Sequence, residues 1–230
     1  MTDVAGNWRR VSDQAAGAAV RAGRDPGSVR IIAVAKTKPV AMIEQAIAAG
    51  ATDIGENYVQ EAAEKIRRVT AAVSWHMIGH LQRNKAARAV ELFDLIHTLD
   101  SVPLAIALAR RGEQRGRAVR VLIEVNTGGE SSKNGVAAAE ARPLLQALAK
   151  HRWLVIDGLM TVPPPGPSAE AARPFFRALR ELRETLRPAA AANAPLHELS
   201  MGMTDDFTVA IEEGATMVRI GRAIFGERER

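Results

Sequence analysis

The sequence predicts an α/β protein, built as a single TIM-type (β/α)8 barrel with one extra helix before the first strand. Eight short apolar runs alternate with helical stretches, an order typical of parallel βαβ units. Right-handed crossovers favour closure of such units into a barrel. No Gly/Ser-rich linker or shift in composition divides the 230 residues. We therefore expect one domain over residues 1–230, with the barrel at about 30–226.

The predicted elements alternate along the chain. Residues 3–22 have the amphipathic period of a helix and precede the first strand. The expected strands are 30–35, 52–55, 75–79, 94–98, 119–126, 154–160, 196–200 and 217–220. The expected helices between them are 40–49, 57–70, 82–91, 102–113, 136–150, 169–190 and 205–213. An open doubly wound sheet is the alternative, but no G-x-G-x-x-G motif follows an early strand.

Composition narrows the functional classes. The chain is 47% hydrophobic and 25% charged, which suits a globular protein with a sizeable core. It has no cysteine, which excludes disulfides and a cysteine nucleophile. No apolar stretch approaches the roughly 18 residues of a membrane span, and the N-terminus lacks the apolar core of a signal peptide. We therefore expect a cytoplasmic protein with no membrane partner.

The basic charge does not indicate a nucleic-acid partner. The formal net charge is +5 and the sequence pI is about 10.1. The arginines are spread along helical segments among acidic residues, and no aromatic residues are interleaved with them for base stacking. We therefore interpret the excess charge as a solvated helical surface.

Lys36 lies at the carboxyl end of the first predicted strand. It closes the apolar run 31–35 and is soon followed by Pro39. Active sites in parallel α/β folds are built at these strand ends. A desolvated lysine amine loses its charge readily, as Schiff-base formation with a carbonyl requires. A surface lysine with its ammonium in water is the alternative interpretation.

The loops after the seventh and eighth predicted strands have the features of an anion site. Barrels often bind phosphate at these two loops through backbone N–H groups. The segment Ser200-Met201-Gly202 follows the seventh strand, and Gly221-Arg222 follows the eighth. Their glycines let the backbone approach an anion closely.

Arg219 lies within the eighth predicted strand. Side-chain alternation directs it to the face opposite that of Val218 and Ile220, toward the barrel mouth. A buried arginine keeps its charge and needs an anion or another acceptor. An ion pair with Glu124 or Glu198 is the structural alternative.

Other site classes have little support in the sequence. His76 and His80 are four residues apart, but they flank a strand-like segment, so helical metal-ligand spacing does not apply. No nucleophile elbow is present for a Ser-His-Asp site. We predict no metal site.

Five segments together resemble one known family. They are AVAKT at 33–37, GENYVQE at 55–61, WHMIGHLQRNK at 75–85, SMGMTDD at 200–206 and RIGRAIFG at 219–226. In this order and spacing the chain resembles the pyridoxal 5′-phosphate (PLP) homeostasis proteins, also called the YggS/PROSC family. The resemblance implies a single barrel like the N-terminal domain of alanine racemase, with PLP as cofactor.

The resemblance also implies the roles of individual residues. Lys36 would hold PLP as a Schiff base, Ser200 and Gly221 with its neighbours would bind the phosphate, and Arg219 would face the pyridine nitrogen. The full implied set is Lys36, Asn57, Ser200, Met201, Arg219, Gly221 and Arg222. Thr204 stands where the family often has serine, and because both carry a hydroxyl we expect little change.

The expected function is a PLP-binding protein of cellular PLP homeostasis that stores or delivers the cofactor without strong catalysis. A permanent cation beside the pyridine nitrogen disfavours ring protonation and weakens carbanion stabilisation. PLP-dependent apoenzymes are the expected protein partners, and we expect a monomer.

Two enzymatic alternatives stay open. One is a PLP-dependent amino-acid racemase using Tyr58 or a histidine; the other is a lysine Schiff-base aldolase. Racemisation needs an acid/base group on each face of the substrate carbon. Alanine racemases take one of these groups from a second domain, and we expect none here because few residues follow the eighth strand.

Overall fold

The structure, a computed structural model, describes residues 2–130 and 134–227. Eight parallel strands form a closed barrel, which confirms the predicted TIM-type fold. They are β1 (Arg30–Val34), β2 (Asp53–Glu56), β3 (Ser74–Met77), β4 (Leu95–Leu99), β5 (Val119–Asn126), β7 (Leu154–Met160), β8 (Glu198–Ser200) and β9 (Met217–Ile220). Their order is β4-β3-β2-β1-β9-β8-β7-β5, and pairing of β4 with β5 closes the ring. A two-residue strand, β6 (Val136–Ala137), pairs with β5 outside this ring.

Helices alternate with the strands. They are α1 (Val4–Arg21), α2 (Val40–Ala48), α3 (Val59–Ile66), α4 (Ala86–Leu92), α5 (Val102–Arg115), α6 (Ala138–Leu148), α7 (Arg173–Leu186), α8 (Phe207–Glu212) and α9 (Arg222–Phe225). Single 3-10 turns lie at Pro26–Ser28, Arg83–Lys85, Ala169–Ala172 and Arg187–Ala189. None of the helices in the described part of the chain is long and apolar enough to span a membrane.

Several observed helices are shorter than the predicted ones, for local reasons. The predicted helix 57–70 begins only at Val59, because Tyr58 has extended backbone angles. The predicted helix 169–190 is α7 with a 3-10 turn at each end, and prolines lie in the first turns of α7 and of the following 3-10 segment. The predicted helix 136–150 starts with β6, which follows the left-handed Gly135.

The predicted N-terminal helix is α1, and it completes the outer layer of the barrel. The Asp3 carboxylate caps it by accepting a hydrogen bond from the backbone N–H of Gly6 at 2.8 Å. The helix packs against α2, α8 and α9, and the Asn7 amide donates to the Ile224 carbonyl at 3.0 Å. Because α9 has only one turn, α1 covers the β9–β1 side of the barrel, where the ring of helices would otherwise be thin.

Strand residues contribute to two apolar layers on opposite faces of the barrel wall. Outward-facing residues such as Ala33, Ile54 and Ile96 pack in one large cluster with the helices. Inside the barrel lies a small apolar cluster of Ile32, Leu95, Leu122, Met160 and Met217. Full burial of a side chain of this size stabilises the fold by about 1.5–3 kcal/mol. Polar residues occupy much of the remaining interior, and they support the site described next.

Candidate functional site

A cavity of about 700 Å³ opens at the carboxyl ends of the barrel strands. Five of the sequence-predicted site residues line it: Lys36, Asn57, Arg219, Gly221 and Arg222. Among the described residues, four side-chain cations line this space against two carboxylates, those of Asp205 and Glu227. The cavity is therefore suited in size and charge to a small anionic ligand.

Lys36 reaches the cavity because of strand alternation. Ile32 lies in the interior apolar cluster and Val34 lines the cavity, so the next residue of the same parity, Lys36, also faces inward. The lysine is half-buried and occupies a turn that directly follows β1, in which the N–H of Lys38 donates to the carbonyl of Ala35 at 3.0 Å. Its amine thus lies at the wall of the cavity.

A buried charged network lies on the outer side of the barrel wall, behind the Lys36 turn. We call Glu56, Glu61 and Lys65 the outer network. The Lys65 ammonium donates to Glu56 Oε1 at 2.7 Å and to Glu61 Oε1 at 2.6 Å. Its third hydrogen bond goes to the Ala35 carbonyl at 2.7 Å. Glu56 is fully buried, and burial raises its pKa to about 7 although Lys65 opposes the shift.

Arg219 is held from inside the barrel by a chain of hydrogen bonds, which we call the inner chain: Asp53, His76, His97, Ser200 and Arg219. The Arg219 Nη1 donates to Ser200 Oγ at 2.6 Å, and Ser200 Oγ lies 2.9 Å from His97 Nδ1. His97 Nε2 lies 2.9 Å from His76 Nδ1. His76 Nε2 lies 2.9 Å from Asp53 Oδ1. The chain runs from the cavity through the barrel interior to β2.

The chemistry of its two ends is consistent with hydrogen bonds that all run from Arg219 toward Asp53 along the inner chain. A guanidinium only donates, so Ser200 accepts from Arg219, and the Ser200 hydroxyl proton is available for His97 Nδ1. His97 then donates through Nε2 to His76, and His76 donates through Nε2 to the Asp53 carboxylate. In this direction of donation the His97 ring is neutral. Burial is the main cause that lowers the pKa of His97 well below its usual value.

Carboxylates at a distance balance the charge of Arg219. Burial lowers its pKa to about 10, and the charges of Glu124 and Asp206 oppose that shift, so the guanidinium is ionised at neutral pH. Its second hydrogen bond goes to the Thr161 carbonyl at 2.9 Å. Glu198, an alternative ion-pair partner in the sequence analysis, is instead paired with Arg30 at 2.5 Å.

The Gly221 position leaves room on the cavity wall. Its φ is −108°, and a Cβ added there would come no nearer than 3.5 Å to Val34. Neither the backbone nor the packing of the protein therefore requires glycine at this position. Arg222 beside it is half-exposed and pairs with Asp205 and Glu227.

Ser200 and Met201 lie beneath the cavity and are not among its lining residues. Both are fully buried, and the Ser200 hydroxyl is engaged by Arg219 and His97. The backbone N–H of Met201 donates to the Met217 carbonyl at 3.1 Å. Ser200 therefore lies under Arg219, whereas the Met201 side chain packs in the outer apolar cluster.

Asn57 presents an unsatisfied oxygen at the cavity wall. Its Oδ1 is buried and has no hydrogen-bond partner within the described ranges. Gly79 allows this arrangement, because a Cβ there would come within 2.4 Å of the Asn57 carbonyl oxygen. The loops after β2 and β3 can therefore approach closely, and an acceptor is left for a ligand donor.

The sequence analysis missed the outer network and most of the inner chain. Lys65 and Glu61 have the i,i+4 spacing of an ordinary surface pair. A signal was present, since Lys65 lies three residues after the buried Ala62 and falls on the same face of α3. The inner chain leaves no comparable pattern in the sequence. Its five residues come from five different strands, and only the register between those strands brings their side chains together.

The fold and the cavity define a class: a TIM-barrel protein with a ligand cavity at its carboxyl end and a lysine amine on the cavity wall. Over residues 7–229 the chain matches the family described as "Alanine racemase, N-terminal domain". It is 40% identical over 233 residues to the pyridoxal phosphate homeostasis protein of Escherichia coli strain K12, covering 100% of this chain and 98% of the relative. The protein of that name from Aquifex aeolicus is 41% identical over 221 residues, with 96% of each chain covered. The chain belongs to the pyridoxal phosphate homeostasis protein family, which confirms the resemblance.

A solved structure agrees with this assignment. The chain is similar to PipY of Synechococcus elongatus PCC7942, solved with PLP bound, with a TM-score of 0.82 and 37% identity. The match covers 94% of this chain and 100% of PipY.

Proposed function

We propose that this chain binds PLP in the cavity as a Schiff base on Lys36, and that it stores or delivers PLP in cellular PLP homeostasis. The observation that carries the proposal is the presence of Lys36, Arg219 and Gly221 on the wall of one cavity. The name of the 40% identical relative and the PLP found in PipY support it.

The residues at the cavity fit this cofactor. When bound, PLP supplies an aldehyde that reacts with an amine and a phosphate that needs hydrogen-bond donors. The Lys36 amine would take the aldehyde. Gly221 and Arg222 would hold the phosphate, because the space that a Cβ would fill at Gly221 is open for close approach of the backbone. Arg219 would face the pyridine nitrogen.

The other predicted residues would support this arrangement. The unpartnered Asn57 Oδ1 would accept a hydrogen bond from the ligand. Ser200 would orient Arg219 through the 2.6 Å bond to its Nη1, and Met201 would anchor the end of β8 from the outer apolar cluster. The ionised guanidinium keeps the site from protonating a ring nitrogen.

We propose that the chain has no strong catalytic activity of its own. Racemisation requires a second acid/base group within reach of the substrate. Tyr58 is 59% exposed, and the described residues that line the cavity include no tyrosine or histidine. The cavity carboxylates, Asp205 and Glu227, are both paired with Arg222. We further propose that the protein acts as a cytoplasmic monomer with PLP-dependent apoenzymes as partners.

A PLP titration followed by near-visible absorption tests the binding proposal. We expect a Schiff-base band in the wild type, none in Lys36→Ala, and a normal band in Lys38→Met. Lys38 is the matched control because its amine also lines the cavity and donates to the carbonyls of Gly226 and Glu227. A colourless wild type, or a band that depends on Lys38, would contradict the proposal.

Proton exchange tests the carrier role. The holoprotein is incubated with L-alanine or L-serine in deuterated water, and the α-proton is followed by NMR. We expect no turnover above the background of free PLP. Steady exchange at an enzyme-like rate would favour a racemase instead.

A further inference from the structure

We propose that Glu61 and Lys65 of α3 are positioning residues for the Lys36 amine, acting through the backbone of the turn that carries it. This inference rests on the proposed function of Lys36. It assigns a role to a buried charged cluster that the cofactor itself would not touch.

The two side chains bind the backbone on both sides of Lys36. Lys65 Nζ donates to the carbonyl of Ala35 at 2.7 Å, one residue before the lysine. Glu61 Oε1 accepts from the backbone N–H of Thr37 at 2.6 Å, one residue after it. Lys65 and Glu61 are joined to each other at 2.6 Å. The turn and the helix thus form one closed ring of hydrogen bonds around Lys36.

The turn needs such support because of its backbone conformation. Thr37 has a φ of 64°, in the left-handed region that β-branched residues avoid. A conformation of this kind persists only where the surroundings hold it. The hydrogen bond from the Thr37 N–H to a carboxylate is charge-assisted, and it is made at the strained residue itself.

Burial distinguishes the outer network from a surface ion pair. The Lys65 side chain is 9% exposed and that of Glu56 is 0% exposed. The ammonium has three acceptors, Ala35 O, Glu56 Oε1 and Glu61 Oε1, for its three N–H groups. Three hydrogen bonds and the exclusion of water hold the Lys65 ammonium in one position. The turn that it binds through the Ala35 carbonyl is therefore held in place as well.

The consequence for Lys36 is geometric. Without the outer network, Thr37 relaxes toward negative φ, and the Lys36 Cα–Cβ direction turns with it. The population with the amine on the cavity wall then falls, and the apparent affinity of a ligand that must react there falls in proportion. The reaction itself is unchanged: the amine nitrogen forms a C=N bond to the aldehyde carbon, and the carbonyl oxygen leaves as water.

The test compares two ligands in three variants of α3. PLP can react with Lys36, whereas pyridoxine 5′-phosphate has no aldehyde and binds only through the cavity. Glu61→Ala should weaken the PLP adduct about tenfold, the worth of one charge-assisted hydrogen bond, and should leave pyridoxine 5′-phosphate binding unchanged. Glu61→Gln should restore most of the adduct, because the amide oxygen still accepts from Thr37. Glu64→Ala, at an exposed position of the same helix, should behave as wild type.

The outcomes separate this inference from the proposed function. A wild type that forms no adduct on Lys36 overturns the proposed function. A wild-type adduct together with an unchanged Glu61→Ala adduct overturns the positioning role alone. Equal weakening of both ligands also overturns it, since general damage to the cavity would be the cause. Lys65→Met should show the same selective loss, and the Glu61 variants decide the question if Lys65→Met does not fold.

Discussion

Lys36 follows β1 and Arg219 lies in the neighbouring β9, but the two residues are held from opposite sides of the barrel wall. β1 and β9 are adjacent, with Ile32 paired to Arg219. The outer network binds the backbone of Ala35 and Thr37 on either side of the lysine, and Glu61 is its most exposed ion at 25%. The inner chain binds the arginine through its guanidinium and runs through two buried histidines in the core. Arg219 is thus held at its guanidinium group, whereas Lys36 is held through the backbone that flanks it.

The outer network and the inner chain contribute to the free energy of unfolding with opposite pH dependence. Burial raises the pKa of Glu56 to about 7, so between about pH 4.5 and 7 the folded chain holds a proton that the unfolded chain has lost. Its contribution to stability is present below pH 4.5 and is lost as pH rises through 7. The pKa of His97 is lowered, so its contribution is present above about pH 6.5 and is lost as pH falls below that value.

Lys65→Met should have the largest effect on the free energy of unfolding. Loss of the ammonium leaves Glu56 buried without its ionic partner, and breaking a buried pair costs about 3–5 kcal/mol. We expect this cost in urea unfolding at pH 8 and a smaller cost at pH 5, where Glu56 takes up a proton. Lys150→Met, at an exposed position, is the control. A cost below about 1 kcal/mol at pH 8 would show that the outer network contributes little to stability.

His97→Leu should have the next largest effect. It removes one buried hydrogen-bond partner from His76 and one from Ser200, which costs about 2–4 kcal/mol in all. Below pH 6.5 the cost should shrink, by up to about 1.4 kcal/mol per pH unit. The exposed His197→Leu serves as control and should change the free energy of unfolding by less than about 0.5 kcal/mol. A cost that grows on acidification would contradict the assignment of His97 as neutral.

Glu56→Gln should remove the pH dependence that the outer network gives to the free energy of unfolding. The amide oxygen still accepts from Lys65, but the titration disappears. From pH 5 to 7 the variant should gain stability relative to wild type, by at most about 1.4 kcal/mol per pH unit. Urea unfolding across this range gives the slope. Parallel profiles for the two proteins would mean that Glu56 does not titrate there.

Gly221→Ala should have the smallest effect on stability. A Cβ would make only ordinary contacts with Val34, so the change in the free energy of unfolding should be below about 1 kcal/mol. The same Cβ would stand where the phosphate is proposed to approach. Binding of pyridoxine 5′-phosphate should therefore weaken, while that of unphosphorylated pyridoxine should not. Equal effects on both ligands would place the phosphate elsewhere.

The sequence was sufficient to predict the barrel because its signals are local. The apolar run before Lys36 predicted β1, and the apolar run around Arg219 predicted β9. Both predicted strands have bounds within two residues of the observed ones. Alternation along those strands depends only on parity, so it also gave the faces of Val218 and Ile220, which pack in the outer apolar cluster.

The inner chain and the outer network could not be predicted from local sequence signals in this way. His76 and His97 are 21 residues apart, and their hydrogen bond depends on the stagger between two strands. The Ser200 hydroxyl was expected near a phosphate, whereas its position under Arg219 follows from the register of β8. Lys65 has the sequence pattern of a surface helix, and only its packing against β2 makes it buried.

We propose that PLP is held by the amine of Lys36 and by no other lysine of the chain. The most direct measurement is mass spectrometry of the full chain after incubation with PLP and reduction with borohydride. We predict a single pyridoxyl group, on the peptide that contains Lys36 and, by fragmentation, on Lys36 rather than Lys38. An unmodified Lys36, or a pyridoxyl group mainly on another lysine, would contradict the account.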